Sequence, residues 1–251
     1  MVKSMGNPRA ITWVGHGTVL LVSAQGTRVV VDPWLEGNPA APAYVTIEGL
    51  GDVGLVAVTH GHSDHIGSLA DVARAGCKVV CTSEMAAYCR LLGISNVYEM
   101  NKGGTMRFRD VDVTMVSADH SSGIAAGSGE PDMYGGEAVG YVFSFPEDDT
   151  APVYVAGDTN VFGDMALIRD LYGPELGLLP IDGNYNMGPR EAAHASRLLG
   201  LKRVVPIHYG TFPTLRGSPE ELRAELARSG GSASCVIVAP GDDVSLGKKG
   251  E

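Results

Sequence analysis

The stretch Val58-Thr59-His60-Gly61-His62-Ser63-Asp64-His65-Ile66-Gly67 puts four ligand-type side chains within six positions. It holds three of the chain's seven histidines. Imidazole and carboxylate both bind zinc and similar first-row metals, so this spacing points to a metal site rather than a polar turn with incidental histidines. The preceding run, Val53 to Val58, is short and rich in Val and Leu, and reads as a buried strand. Gly61 then allows a tight backbone path, and Gly67 opens a predicted helix. The histidines thus follow the end of a buried strand, where α/β proteins gather functional groups.

Three later residues share that context. His120 follows the apolar run Val111 to Ser117, Asp158 follows Pro152 to Ala156, and His208 follows Arg203 to Ile207. Any one alone also reads as a satisfied loop histidine or as an Asp capping the next helix. Taken with the opening motif they point to one site, because the ends of several strands converge on one sheet edge.

The elements that must position them alternate short β-rich runs with turns. Ile11 to Val14, Val19 to Ser23 and Arg28 to Val31 form a predicted meander, bent at Gly15-His16-Gly17 and Gln25-Gly26. Val53 to Thr59 delivers the metal motif. A helix is predicted over Ser68 to Ala75, a strand over Lys78 to Thr82, and a helix over Ser83 to Leu92 with Ser83 as its N-cap. Strands follow at Val97 to Met100, Thr105 to Phe108 and Val111 to Ser117. Ser121 to Gly136 is Gly- and Ser-rich without periodicity, the length of a functional lid or binding loop. Strands at Glu137 to Phe145 and Pro152 to Ala156 precede a helix over Phe162 to Leu171, then a buried strand over Leu176 to Ile181. Helices from Pro189 to Leu199 and Pro219 to Ala227, the latter capped by Ser218, flank the strand at Arg203 to Ile207. Cys235 to Val238 and Val244 to Leu246 close the chain. The second half repeats the rhythm of the first with no linker between, so one domain over residues 1–251 is expected: α/β, with two sheets face to face and helices outside.

Composition bounds the function. The chain has 251 residues, enough for a sizeable core, and a net charge of −10 that disfavours sequence-independent nucleic-acid binding. No basic, aromatic-interleaved stretch serves base stacking. No apolar run approaches the roughly 20 residues of a membrane span, and Met1 to Arg9 lacks a signal-peptide core. Cys77, Cys81, Cys89 and Cys235 show no CxxC spacing and read as reduced, partly buried thiols. A cytoplasmic protein without membrane or nucleic-acid partners is expected.

These motifs carry a resemblance. His60-x-His62-x-Asp64-His65, then His120, Asp158 and His208, resembles the ligand series of the metallo-β-lactamase fold. Trp13-x-Gly15-His16, Asp32-Pro33-Trp34-x-x-Gly37-Asn38-Pro39, Gly157-Asp158-Thr159, Met187-Gly188-Pro189 and Pro206 to Pro213 narrow it. Together they resemble the UPF0173 metal-dependent hydrolases, related to the L-ascorbate-6-phosphate lactonases and more distantly to N-acylphosphatidylethanolamine phospholipase D. The match runs from about Ala10 to Asp242. It implies a four-layer αββα sandwich and two divalent ions, zinc first, with Mn, Fe or Ni as alternatives. His60, His62 and His120 would hold one ion, Asp64, His65 and His208 the other, and Asp158 would bridge them. Such a pair activates a water for attack on an ester, lactone or phosphodiester bond. The resemblance implies a small soluble substrate, and a homo-oligomer fits the lactonase-like relatives.

His16 reads either as a substrate contact or proton donor, or as a structural turn histidine. It joins Asp64 and Asp158 as a catalytic candidate. Asp32 is expected to orient a ligand histidine. Asn38, Ser121, Asn184 and Tyr209 are candidate substrate contacts, and Ser122 shares the position of Ser121. The segment Asp182-Gly183-Asn184-Tyr185-Asn186 departs from the family's usual Gly-Gly-x-x-Thr, and if it lines the pocket Asp182 adds negative charge there. His194 reads as a solvated or packed helix residue. Three rival functions remain. A nuclease or phosphodiesterase on the same ligand set is disfavoured by the acidic charge and the missing base-stacking stretch. A di-iron redox enzyme of this fold resembles His-x-Glu-x-Asp, whereas this chain has His62 and His65. A non-catalytic metal-stabilised scaffold is disfavoured because no recognised ligand position is lost.

Overall fold

The computed structural model describes residues 5–74, 76–127 and 130–250. In chain order, β1 (Ala10–Gly15), β2 (Thr18–Val22) and β3 (Arg28–Val31) form the predicted antiparallel meander. β4 (Leu55–Ala57) leads into two short helices, α1 (Ser63–Ile66) and α2 (Leu69–Ala73). Then come β5 (Lys78–Cys81), α3 (Ser83–Leu91), β6 (Val97–Glu99), β7 (Thr105–Phe108) and β8 (Val111–Ser117). A small hairpin, β9 (Gly123–Ile124) and β10 (Met133–Tyr134), precedes β11 (Val139–Ser144) and β12 (Val153–Val155). The chain ends through α4 (Met165–Tyr172), β13 (Leu176–Pro180), α5 (Pro189–Leu199), β14 (Arg203–Ile207), α6 (Pro219–Arg228), β15 (Ser234–Cys235) and β16 (Asp243–Ser245).

Two seven-stranded sheets result, ordered β16-β1-β2-β3-β4-β5-β6 and β15-β14-β13-β12-β11-β8-β7. Each begins as an antiparallel meander and continues as parallel strands joined by helical crossovers. Strand alternation divides the apolar residues between faces. Val29, Val31, Leu55 and Ala57 of the first sheet meet Val113, Met115, Tyr141 and Val155 of the second in a shared core. Val30, Val56 and Val79 point the other way, under Leu69, Val72 and Met85 of the first helical layer. Val142, Tyr154 and Val204 do the same beneath Ile168, Ala192, Leu199 and Leu222. The central strands are therefore buried on both faces, which is why they read as continuous apolar runs. This is the four-layer αββα sandwich of the metallo-β-lactamase type.

Several predicted boundaries move. The helix expected over Ser68 to Ala75 is present as α2, but an unpredicted turn of helix, α1, precedes it from Ser63: the His62 carbonyl accepts from the His65 and Ile66 amides, and Gly67 ends that turn. Asp64 and His65 thus lie on one helical turn rather than in a loop. Thr82, not Ser83, is the N-cap of α3: its backbone is extended, whereas Ser83 is already helical. The α4 helix begins three residues later than predicted, and the predicted strand Cys235 to Val238 forms as a strand only over Ser234–Cys235, with the Val236 amide still bonding the Val204 carbonyl. The Gly- and Ser-rich Ser121 to Gly136 stretch carries the β9–β10 hairpin, with Ser128 and Gly129 outside the described residues, as is Ala75 of the helix predicted over Ser68 to Ala75. The Ser218 capping box with Glu221 is present, and none of the described helices is long and apolar enough to cross a membrane.

One bond ties the sheets together in their shared core. The Tyr141 hydroxyl on β11 lies 2.8 Å from the Val58 carbonyl and 3.3 Å from that of Val80, both on the other sheet's side. Tyr141→Phe is expected to lower the unfolding free energy by about 1 kcal/mol in chemical denaturation, without loss of bound metal. An unchanged midpoint would assign the inter-sheet hold to apolar packing alone.

Candidate metal centre

Six strand ends and turns deliver the chemistry to one edge of the sandwich. His16 comes from the β1–β2 turn, Asp32 from the end of β3, and His60 to His65 from the segment after β4. His120 follows β8, Asp158 follows β12, and His208 follows β14. Three of these residues are left-handed without being glycine: His16 at φ 55°, Asp32 at φ 50° and His208 at φ 57°. Such conformations cost free energy and persist where surrounding bonds over-determine them. The His208 amide donates to the His16 carbonyl at 3.1 Å, and the Trp13 indole donates to the same oxygen at 2.9 Å. The Thr18 hydroxyl donates to the Asp32 carbonyl at 2.7 Å. Close approach demands glycine twice. A Cβ on Gly17 would stand 2.5 Å from the His65 ring, and one on Gly157 would stand 2.7 Å from the Thr59 side chain.

The side chains form two clusters. Ligand atoms of His60, His62 and His120 lie within 4.8 Å of one another, as do those of His16, Asp64, His65 and His208. Asp158 stands between them: its Oδ1 is 3.3 Å from His65 Nε2, and its Oδ2 is 3.1 Å from His208 Nε2 and 3.7 Å from His120 Nε2. Asp158 Oδ1, His65 Nε2 and His208 Nε2 are buried yet lack a properly directed hydrogen bond. The outward ring nitrogens, by contrast, are anchored. His65 Nδ1 donates to Asp32 Oδ2 at 2.8 Å, and His208 Nδ1 lies 3.1 Å from Asp182 Oδ2. The Thr59 hydroxyl donates to Asp32 at 2.5 Å and therefore accepts from His60 Nδ1 at 2.9 Å. With the Nδ1 positions anchored outward, the inward Nε2 atoms are the ones left for a cation, which at His65 and His208 must displace a proton to use them. His60 Nε2 and His62 Nδ1 sit 2.9 Å apart, an approach of two ring nitrogens that a shared cation would satisfy.

The protonation equilibria carry the same imprint. Burial pushes the Asp158 carboxyl up, but the charges of His208 and His65 overturn this and hold it well below the usual range. Burial lowers His208, and Asp158 with Asp182 brings it back up to about 9. His65, flanked by Asp158 and Asp32, is raised well above its ordinary value against the same burial. His60 goes the other way, lowered first by burial and then by His65. Positive charge thus accumulates around a buried carboxylate. A nitrogen- and oxygen-rich set with orphaned inward atoms fits a zinc-like divalent cation.

The comparisons agree with this chemistry. The Beta-lactamase superfamily domain matches residues 27–209. A UPF0173 metal-dependent hydrolase of Koribacter versatilis is 48% identical over 213 residues, covering 84% of this chain and 89% of the relative. One from Rubrobacter xylanophilus is 44% identical over 245 residues, covering 97% and 99%. The chain belongs to the UPF0173 family of metal-dependent hydrolases. Among solved structures it is similar to Igni18, a metallo hydrolase from Ignicoccus hospitalis, with TM-score 0.79, 30% identity, and coverage of 94% of this chain and 97% of that one.

Not every residue singled out in the sequence of this UPF0173 protein faces the centre. Asn38 is buried, its Nδ2 bonded to the Gly15 and Trp34 carbonyls and its Oδ1 to the Ala40 amide, so its amide is consumed by loop structure. Tyr209 stacks on Trp13 at 5.2 Å and packs against the core. Asn184 is exposed, and its neighbour Tyr185 lines the cleft instead. Ser121 does line it, with its Oγ 3.4 Å from His62 Nε2, whereas Ser122 is buried and bonds the Gly61 amide and Gly135 carbonyl. Asp182 adds no charge to the pocket surface. It is 1% exposed, and besides His208 it accepts from the amides of Asn184, Tyr185 and Asn186. Its place directly after β13 was the available signal, the same strand-end context that marks Asp158. His194 lies by Arg197 on α5, away from these clusters. Thr59, Trp34 and Phe212 also belong to the site's surroundings, and no spacing rule singles them out.

His65 and His208 hold protons in the metal-free chain, so a cation must displace them. Metal affinity is therefore expected to rise as pH climbs from 7 towards 9, with protons released on binding. Calorimetric titrations in buffers of different ionisation enthalpy measure this. Affinity that stays flat over the interval would contradict the raised histidines.

Proposed function

We propose that the chain is a binuclear hydrolase. In this reading His60, His62 and His120 hold one divalent ion, Asp64, His65 and His208 hold a second, and Asp158 bridges them. The observation that carries it is Asp158, whose two oxygens face ring nitrogens of both clusters. When bound, two such ions lower the pKa of a shared water and polarise the substrate oxygen that gains charge. Zinc is the first choice, with Mn, Fe or Ni as alternatives.

The chain's own residues supply orientation and proton transfer. Asp32 and Thr59 fix the rings of His60 and His65, and Asp182 fixes that of His208. His16 lies between Thr211 Oγ1 at 2.9 Å and Asp64 Oδ2 at 3.0 Å, and lines the cleft. Burial lowers its pKa even though the Asp64 bond raises it. A largely neutral imidazole beside the reacting centre suits relay of a proton to a leaving group. The reaction class is cleavage of an ester, lactone or phosphodiester bond in a small soluble substrate. An inner chamber of about 330 Å³, lined by His62, His120, Asp158 and His208, has room for the reacting portion of such a molecule.

Two substitutions separate the roles. Asp158→Ala is expected to drop bound metal below two ions per chain by elemental analysis and to abolish turnover; retained full activity would sink the bridging role. Protein purified with two iron ions and a visible absorption band would favour redox chemistry over hydrolysis. His16→Ala is expected to lower kcat by roughly 100-fold or more with metal content intact. Lost metal would instead make His16 a ligand or its support.

A further inference from the structure

The inner chamber opens into a second one. This outer chamber, of about 610 Å³, shares Asp64, Tyr185 and His208 with the inner one, so the two are compartments of a single cleft. Trp34, Phe212, Leu215 and Tyr185 contribute its apolar surface. The Trp34 and Phe212 rings lie nearly parallel, 26° apart with centroids at 6.2 Å, and form a continuous wall. The His16 ring abuts that wall edge-on, 5.2 Å from Trp34 and 5.9 Å from Phe212. A group resting on the wall is therefore adjacent to the metal clusters. Phe212 is 40% exposed and Tyr185 64% exposed. Large rings left open to solvent in a concave site are a cost to the free protein that a ligand's apolar surface removes.

Charge points the same way. No Lys or Arg side chain lines either chamber among the described residues. Lys102 lines a hollow that adjoins the inner chamber through His120 and Ser121 but shares no lining residue with the outer one, and it is paired with Glu137. Beyond the ions of the proposed centre, an anionic substituent in the outer chamber would meet aromatic faces, with no Lys or Arg among the described lining residues to take up its charge.

We propose that the outer chamber receives an uncharged aryl group, and that the substrate is a small neutral ester or lactone bearing one, not a phosphorylated sugar. This rests on the hydrolase reading for its scissile bond and on the Trp34–Phe212 wall for its substituent. In the reaction, water's oxygen joins the acyl carbon as the acyl C–O bond breaks. The alcohol leaves with one proton and the acid releases the other.

The test uses the metal-loaded full chain and three methyl esters that differ only in the acyl substituent: methyl acetate, methyl phenylacetate and the methyl ester of phosphoglycolate. Acid release is followed at constant pH. The phenylacetate ester is expected to exceed the acetate ester in kcat/KM by about tenfold or more, with the phosphorylated ester slowest. Phe212→Ala should bring the phenylacetate-to-acetate ratio to within about twofold, and Phe212→Tyr, which keeps the ring, should restore it. Preference for the phosphorylated ester, or a ratio indifferent to Phe212→Ala, overturns the proposal. A second readout is independent of turnover. 2-Phenylethanol, which has no scissile bond, should quench tryptophan fluorescence saturably, and glycerol phosphate should not compete. If no ester is cleaved while 2-phenylethanol binds and Phe212→Ala weakens it, the hydrolase reading fails and the aryl site stands. Absence of that binding overturns the aryl site itself.

Discussion

Everything at the working edge depends on keeping a buried carboxylate ionised. Asp158 is nearly inaccessible, yet its oxygens face His65, His120 and His208, which arrive from three separate strand ends. A buried, unpaired carboxylate would be too costly to hold. The site is therefore possible only if both sheets deliver their histidines to one point. The sandwich achieves this because β4 and the three strands β8, β12 and β14 end at the same edge, on opposite sides of a shared apolar core.

A second set of carboxylates makes those histidines directional. Asp32 binds Thr59 through amide and hydroxyl and binds His65 through the ring, so one buried group disciplines two rings of different clusters. Asp182 plays the matching part on the other sheet, holding His208 while its other oxygen gathers three consecutive amides. Those amides belong to the turn that carries Tyr185 to the cleft mouth. The same carboxylate thus sets a ring in the histidine cluster and the backbone beneath an aromatic of the cleft mouth. Left-handed His16, Asp32 and His208 are the backbone cost of this convergence, and bonds among them and their neighbours hold them there.

The cleft divides the labour between polar and apolar ends. Its inner part is almost wholly imidazole and carboxylate, suited to cations and to developing charge. Its outer part is built on Trp34 and Phe212, with no guanidinium or ammonium among the described lining residues. His16 belongs to both, bonded to Asp64 on one side and packed against the aromatic wall on the other.

The sequence by itself determined the residue types and their context. A dense His/Asp motif after a buried apolar run, and later His, Asp and His residues after similar runs, were enough to expect one metal-bearing edge in an α/β sandwich. Doubly buried strands leave an unmistakable apolar signature, and strand ends are where it breaks off. Only the tertiary structure decided which neighbours serve the centre. Asn38 and Tyr209, both in stretches shared with the family, turn into loop and core bonds, while Asp182 turns inward to a histidine 26 positions later. Side-chain direction after a left-handed residue, and hydrogen bonds between segments far apart in the chain, depend on how the two sheets are stacked, and no local pattern of residue types encodes that.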